Sequence, residues 1–408
     1  MRVECVKSAA RDKLVWLSEV QGGRAGTNFT VHKPVDARSQ QRWIWNGKAC
    51  GADTILFWCW RDEVFGRESA GFGLVGRDGL AEERLAALRV TGRLFKKHAA
   101  LLDAYRPVRP EVGVLFSPQA YYLAWAAEGK AARIRAGLLG YARSLVRMSI
   151  PYQVVEEEHL DALDGLRILF MPRGIVTSPE IEARLEAFVR AGGTLVCESE
   201  AGAFTPAGIY REPDERFLAR LTGAREIGRR ALASETLAAR VGGKMFRLPA
   251  AQWTTPMTLA RKPAEVWARN AEGALIQEAR VGKGLVILIG AYLGDAYLET
   301  RAAGFEAFVE AIVRRAGWKP AVEVLEPARA RDRFLYVKSG TSVSRNLLFV
   351  FFPDGEHRAR LRLKAGCFRG NSATDLITGK RVALTRTALG LECDLAAPPI
   401  GLSVLAGP

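Results

Sequence analysis

The sequence predicts a multidomain α/β chain: part of a (β/α)₈ TIM barrel, a doubly wound α/β domain and a small antiparallel β-sandwich. Three observations carry this. First, apolar runs over 14–17 and 54–60 each stop abruptly, one at Ser18-Glu19 before Gly22-Gly23, the other at Trp60-Arg61. Buried parallel strands have this pattern, and in a barrel their C-terminal tips carry the reactive side chains. Second, strands and helices alternate over 111–316, the order of a doubly wound sheet. Third, helical periodicity vanishes after 319 and short alternating runs punctuated by Gly, Pro and Asp take over, the signature of a sandwich.

A chain of 408 residues exceeds what one hydrophobic core organises, so two or three domains are expected. Hydrophobic residues at 49% and charged ones at 25% place it among globular proteins. No run of eighteen apolar residues and no signal-peptide layout occurs, so no membrane partner is expected. The six cysteines lack CxxC or His-paired spacing. Reduced thiols in a cytoplasm fit that scatter better than a metal cage or disulfide framework, and no cofactor is expected. The net charge of +15 raises polyanion binding, but Arg is interleaved with Glu and Asp everywhere and no aromatic-studded basic stripe appears. Nucleic acid is therefore not expected as a partner.

Residues 1–106 read as barrel. A helix tail over 2–10 runs into the first strand, which ends at Glu19. Gly22 and Gly23 let the backbone turn and let a ligand approach. A polar stretch, 24–39, carries Asn28, Phe29 and His32, and a helix follows over 40–50. The second strand ends in the aromatic, basic tip Trp60-Arg61, completing one βαβ step. A Gly-rich loop over 62–79 holds Glu63, Glu68 and Asp78, and a helix over 82–102 closes the region. From pattern alone, a strand end with a solvated Glu stays open as the bland alternative to a catalytic tip. Two βα units alone also leave open strand edges and an uncovered apolar sheet face.

Tyr105-Arg106-Pro107-Val108-Arg109-Pro110 reads as a linker. Residues 107–318 then give strands over 111–116, 152–155, 167–171 and 193–197, helices over 133–148, 179–191 and 302–316, and a return strand after Gly282. The GxG at Gly282 precedes a strand and lacks the strand–GxGxxG–helix order, which excludes a dinucleotide fingerprint. Cys197 ends a strand like a nucleophile but has no Gly-x-Cys-x-Gly elbow, so a buried core thiol is favoured. Residues 319–408 form the sandwich, with a hairpin turn at Asp375-Leu376-Ile377-Thr378-Gly379-Lys380.

Two passages carry a resemblance: Trp16-Leu17-Ser18-Glu19-Val20-Gln21-Gly22-Gly23, and Phe57-Trp58-Cys59-Trp60-Arg61 through Gly66-Arg67-Glu68-Ser69 to Gly73-Leu74. Together they resemble the last two barrel strands of family 42 β-galactosidases, and the resemblance extends over essentially the whole chain. It implies a retaining hydrolase of terminal β-galactosides with Glu19 as nucleophile and Glu68 holding the sugar. Phe29 is the candidate stacking ring, where many members have Trp, and Trp60 and Arg61 flank the pocket. Gly71 stands where many members have His. The resemblance makes 107–318 an amidotransferase-like trimerisation domain, implying a homotrimer, and 319–408 the family's small C-terminal domain.

Retaining hydrolysis needs two carboxyl groups about 5–5.5 Å apart, one attacking the anomeric carbon and one serving as acid/base. Arg61 is a candidate donor keeping Glu19 ionised. The family's acid/base, a Glu after Asn at the end of strand four, has no counterpart in this sequence, which implies a C-terminal portion inactive by itself. The rival reading, from another class, is a non-catalytic scaffold or sugar-binding protein.

Overall fold

The structure, a computed structural model, describes residues 2–27, 30–343, 345–364 and 366–408. It divides into two compact units, Pro110–Lys319 and a second made of Arg2–Arg109 with Pro320–Pro408.

In the second unit, helix α1 (Arg2–Ala10) leads to strand β1 (Trp16–Gln21). Helix α2 (Ala37–Ala49) is capped by Asp36, whose carboxylate accepts from Ser39 N–H at 2.6 Å. Strand β2 (Thr54–Trp58) lies parallel to β1, with Leu17 opposite Ile55 and Val20 opposite Phe57. Parallel neighbours joined through a helix are the expected barrel step. Helix α3 (Ala81–Lys97) follows, and a short helix, Ala99–Asp103, continues after a break at His98. Leu17 and Ile55 pack against α2 at Gly47, so one sheet face is covered. The other face is open: Trp16 is 57% exposed, Leu56 44% and Trp58 40%.

The segment read as a linker is structural. Arg106–Pro107 pairs antiparallel with Gly340 and Thr341, and buried Tyr105 donates its hydroxyl to Ala49 O at 3.1 Å. A proline such as Pro107 suits an edge strand, where a missing N–H costs nothing. This strand closes a sheet that runs through Tyr336–Ser342, Arg345–Phe351, Leu402–Gly407 and Ser372–Asp375 to Arg381–Ala383. Period-two alternation splits Arg345–Phe351 between two cores. Leu348 and Val350 face the opposing sheet with Leu361, Leu363 and Leu405, whereas Leu347, Phe349 and Phe351 meet Trp45, Ala49, Leu102 and Tyr105. Burying an aromatic such as Phe349 contributes roughly 1.5–3 kcal/mol. The sandwich thus braces α2 and the short helix behind the barrel strands. In the Asp375 turn, Oδ1 accepts from Ile377 N at 3.1 Å and Oδ2 from Thr378 Oγ1 at 2.9 Å.

The Pro110–Lys319 unit is built on a parallel sheet. Its strands are β3 (Val112–Phe116), β4 (Tyr152–Glu156), β5 (Ile168–Met171), β6 (Thr194–Cys197) and, after the antiparallel β7 (Gly273–Val281), β8 (Gly284–Ile289). Across the sheet the order is β4-β3-β5-β6-β8-β7, with short antiparallel strands beyond β7. Helices α4 (Pro118–Glu128), α5 (Ala132–Arg147), α6 (Pro179–Ala191), α7 (Gly294–Thr300) and α8 (Ala303–Arg315) accompany it. Gly282-Lys283 is the two-residue turn of the β7–β8 hairpin, where Val281 faces Gly284. A turn residue there satisfies the reading that excluded a dinucleotide fingerprint.

Candidate active site at the rim of the barrel strands

Strict alternation from Leu17 would aim Glu19 at α2. A β-bulge prevents this: Ser18 and Glu19 together span the interval that Leu56 alone fills on β2. The extra residue resets the phase. Val20 takes the helix-facing place opposite Phe57, and Glu19 is left exposed on the open face with Leu56 and Trp58. Glu19 thus stands exposed two residues before the C-terminal end of β1.

The loops beyond the strands are sewn together through backbone. Gly22 N donates to Trp58 O at 2.9 Å, Gly23 N to Phe72 O at 2.9 Å, and Phe72 N to Arg24 O at 2.7 Å. A Cβ on Gly22 would stand 2.6 Å from Phe72 O, and one on Gly23 2.1 Å from Gly73 O. The Gly pair therefore admits another stretch of chain, which corrects the expectation that it admits a ligand. Buried Gln40 donates to Gly22 O at 3.0 Å and holds the turn from below.

The same loop carries Glu68, half-buried, with a parallel bridge between Glu63 and Ser69. Trp60 and Arg61 lie just past β2, both exposed. Among the described residues no hydrogen bond or ion pair joins Glu19 to Arg61 or to Glu68. Arg61 lies three residues beyond the end of β2 at Trp58. Phe29 lies outside the described residues. His32 is exposed, its N–H bonded to Ala25 O at 3.0 Å.

Sequence reasoning missed the residue that locks this rim. Arg84, on α3, is fully buried. It donates to Val35 O at 3.1 Å, Gly73 O at 3.2 Å, Leu74 O at 3.0 Å and the Asp78 carboxylate at 2.7 Å. Burial pushes the Asp78 carboxyl up, but the hydrogen bonds from Arg84 and Leu80 N–H outweigh it and leave its pKa lowered. Asp62 completes the fastening, accepting from Gly73 N at 2.9 Å and Arg77 N at 2.8 Å.

In the other unit, Cys197 ends β6 but is 1% exposed, with its Sγ 3.9 Å from Met171 Sδ. Burial pushes its thiol pKa up, so no thiolate forms. The adjoining Glu198 is also buried. Its Oε1 accepts from Leu293 N at 2.8 Å, Gly294 N at 2.9 Å and Tyr141 Oη at 3.2 Å. Desolvation, then the nearby Asp295 charge, raises its pKa from 4.5 to about 7, against the lowering pull of Arg173 and the backbone donors. The folded state therefore holds this proton more tightly than the unfolded chain. Stability from this site falls as pH rises from about 4.5 to about 7 and stays low above. Glu198→Gln is expected to remove that slope, gaining about 2–3 kcal/mol at pH 8 relative to pH 5. Urea unfolding of both proteins at the two pH values checks this, and identical pH dependences would refute it.

A parallel barrel step with a carboxylate at its rim, a doubly wound unit and a sandwich define a multidomain α/β protein that carries part of a barrel. Residues 110–317 match the family described as "Beta-galactosidase trimerisation domain". The chain belongs to that family and corresponds to the C-terminal portion of a glycoside hydrolase family 42 β-galactosidase. It is 26% identical over 353 residues to β-galactosidase BglY of Alicyclobacillus acidocaldarius, covering 80% of this chain and 48% of that protein. It is 29% identical over 174 residues to β-galactosidase GalA of Bacillus licheniformis, covering 42% of this chain and 24% of that protein. A solved structure of a catalytic mutant of a GH42 β-galactosidase from G. stearothermophilus superposes with a TM-score of 0.76 at 18% identity, covering 100% of this chain and 55% of that one. The chain thus spans about half the length, or less, of the relatives it matches.

Proposed function

We propose that this chain forms part of a retaining β-galactosidase acting on terminal non-reducing β-D-galactosides, with Glu19 as the nucleophile. The observation that carries the reading is the bulge between Leu17 and Val20, which leaves Glu19 exposed on β1. In this reading Glu19 attacks the anomeric carbon as the leaving oxygen departs with a proton, and water then releases the sugar from the glycosyl-enzyme. Glu68 accepts from sugar hydroxyls, Phe29 stacks on the sugar face, and Trp60 and Arg61 line the pocket mouth. The acid/base comes from barrel strands outside this sequence. The exposed Trp16, Leu56 and Trp58 support that, since such a face is stable in water only when further strands or helices cover it.

The division into 1–106 as barrel, 107–318 as assembly domain and 319–408 as cap belongs to the same proposal. So does a homotrimer, which the trimerisation family described for 110–317 supports. A cytoplasmic setting is supported by six free cysteines. Among the described residues no helix is long and apolar enough to cross a membrane.

The test is mechanism-based labelling. A 2-deoxy-2-fluorogalactosyl fluoride, applied to the chain completed with the remaining barrel strands, should add one sugar to the peptide containing Glu19. Labelling of any other carboxylate overturns the assignment.

A further inference from the structure

Helix α4 differs from the other long helices of the Pro110–Lys319 unit in having no charged side chain from Pro118 to Ala127, in a chain of which 25% is charged. Its inner face is accounted for: Ala120 is buried against Ile134 and Val176, with Leu123 and Ala124 beside them. Its outer face presents rings to solvent. Tyr121 is 37% exposed, and Tyr122 and Trp125 are each 62% exposed. The turn at Gly208 lies against Leu123, 3.4 Å from where a Cβ would stand, and brings exposed Ile209 to the edge of the same face. An amphipathic surface helix should turn polar residues outward. This one turns Tyr121, Tyr122 and Trp125 outward instead, as a helix does when something covers it.

We infer that this aromatic face of α4, with Ile209 at its margin, is where one copy of the chain seats on a second copy. The inference rests on the trimeric assembly proposed above and names the surface that makes it. Three points favour a second copy as the occupant. The face lies wholly within 110–317, the segment matching the trimerisation family. Its exposed rings suit the centre of an interface burying about 800 Å² per partner, where Tyr and Trp concentrate. Copies that each carry +15 repel one another, and a face without charges is where they approach at least cost. A closed three-fold ring uses heterologous contacts, so α4 of one copy meets a different patch of the next.

The test is the oligomeric state of the full chain by size-exclusion chromatography with light scattering. The wild type should run as a trimer, and the Tyr122→Glu/Trp125→Glu double variant as a folded monomer with unchanged far-UV circular dichroism. The milder Trp125→Ala should weaken assembly at least about 30-fold, as loss of an aromatic anchor does. A wild-type trimer that both variants leave intact refutes this surface and leaves the trimer standing. A wild-type monomer refutes the trimer, and this surface with it, and leaves the face to some other partner. If the double variant misfolds, a photocrosslinking p-benzoylphenylalanine at position 122 decides. Capture of a second copy at a residue outside α4 supports the contact, and capture of none refutes it.

Discussion

Arg84→Met should lower the unfolding free energy of the unit that contains it by about 3–5 kcal/mol. The substitution keeps most of the buried volume but removes every guanidinium donor from a fully buried place. Asp78, whose side chain is 2% exposed, is left as a buried carboxylate without its cation. The carbonyls of Val35, Gly73 and Leu74 lose the guanidinium that bridges them. Breaking a buried pair from one side is costly because the surviving charge has already left water. Asp78→Asn in the same background should recover part of the loss, because it removes that charge. The pH dependence follows from the lowered Asp78 pKa. Its contribution is fully present above the unfolded carboxylate pKa of about 3.9 and is lost as pH falls through the lower folded value. The difference between variant and wild type should therefore be largest at neutral pH and shrink in acid. Urea unfolding at pH 7 measures the effect, and limited proteolysis should show the loop over 61–80 becoming the first site cut. A destabilisation under 1 kcal/mol would mean that the backbone bonds alone hold the rim.

Local chemistry was legible in the sequence where it was also decisive. Helix α6 begins and ends where its pattern says, since Ser178 caps Ile181 N–H and Pro179 fits the first turn. The parallel pair β1–β2 follows from two apolar runs joined through one helix. Helix α4 carries an equally plain start signal, Ser117-Pro118, with the Ser117 hydroxyl accepting from Ala120 N–H at 3.0 Å. It escaped because its apolar residues are not confined to one stripe, and periodicity is the signal such a reading leans on. What the sequence hid was set by distant partners. Paired prolines at 107 and 110 suggest a linker until Gly340 supplies a strand to pair with. Arg84 is one of many arginines until its helix docks and aims it at three carbonyls. The bulge at Ser18-Glu19 has no residue signature at all, since it exists only relative to Leu56 on the neighbouring strand. The sequence reading ended this strand at Glu19, whereas β1 runs on to Gln21, and the bulge that leaves Glu19 exposed could not be read from either strand alone.

That bulge leads to the largest expected effect. In the chain completed with its remaining barrel strands, Glu19→Gly should reduce turnover of an aryl β-galactoside at least about 10³-fold, because the covalent path loses its attacking oxygen. Glu68→Gln should instead act chiefly through KM, since a group that binds sugar equally in ground and transition states changes affinity more than rate. The two variants together separate reaction from recognition. Small anions sharpen the test. Removing the Glu19 side chain leaves room on the face from which it would attack, and azide or formate entering there should restore activity. Azide would then leave an α-galactosyl azide, inverted relative to the substrate, because no second displacement follows. Rescue with that stereochemistry requires the missing carboxylate to have stood on the side opposite the leaving group. If Glu19→Gly keeps wild-type turnover, or azide yields only the β-product, the carboxylate on β1 does not bond to sugar. Glu19 would then be what its pattern alone allowed, a charged strand end in water.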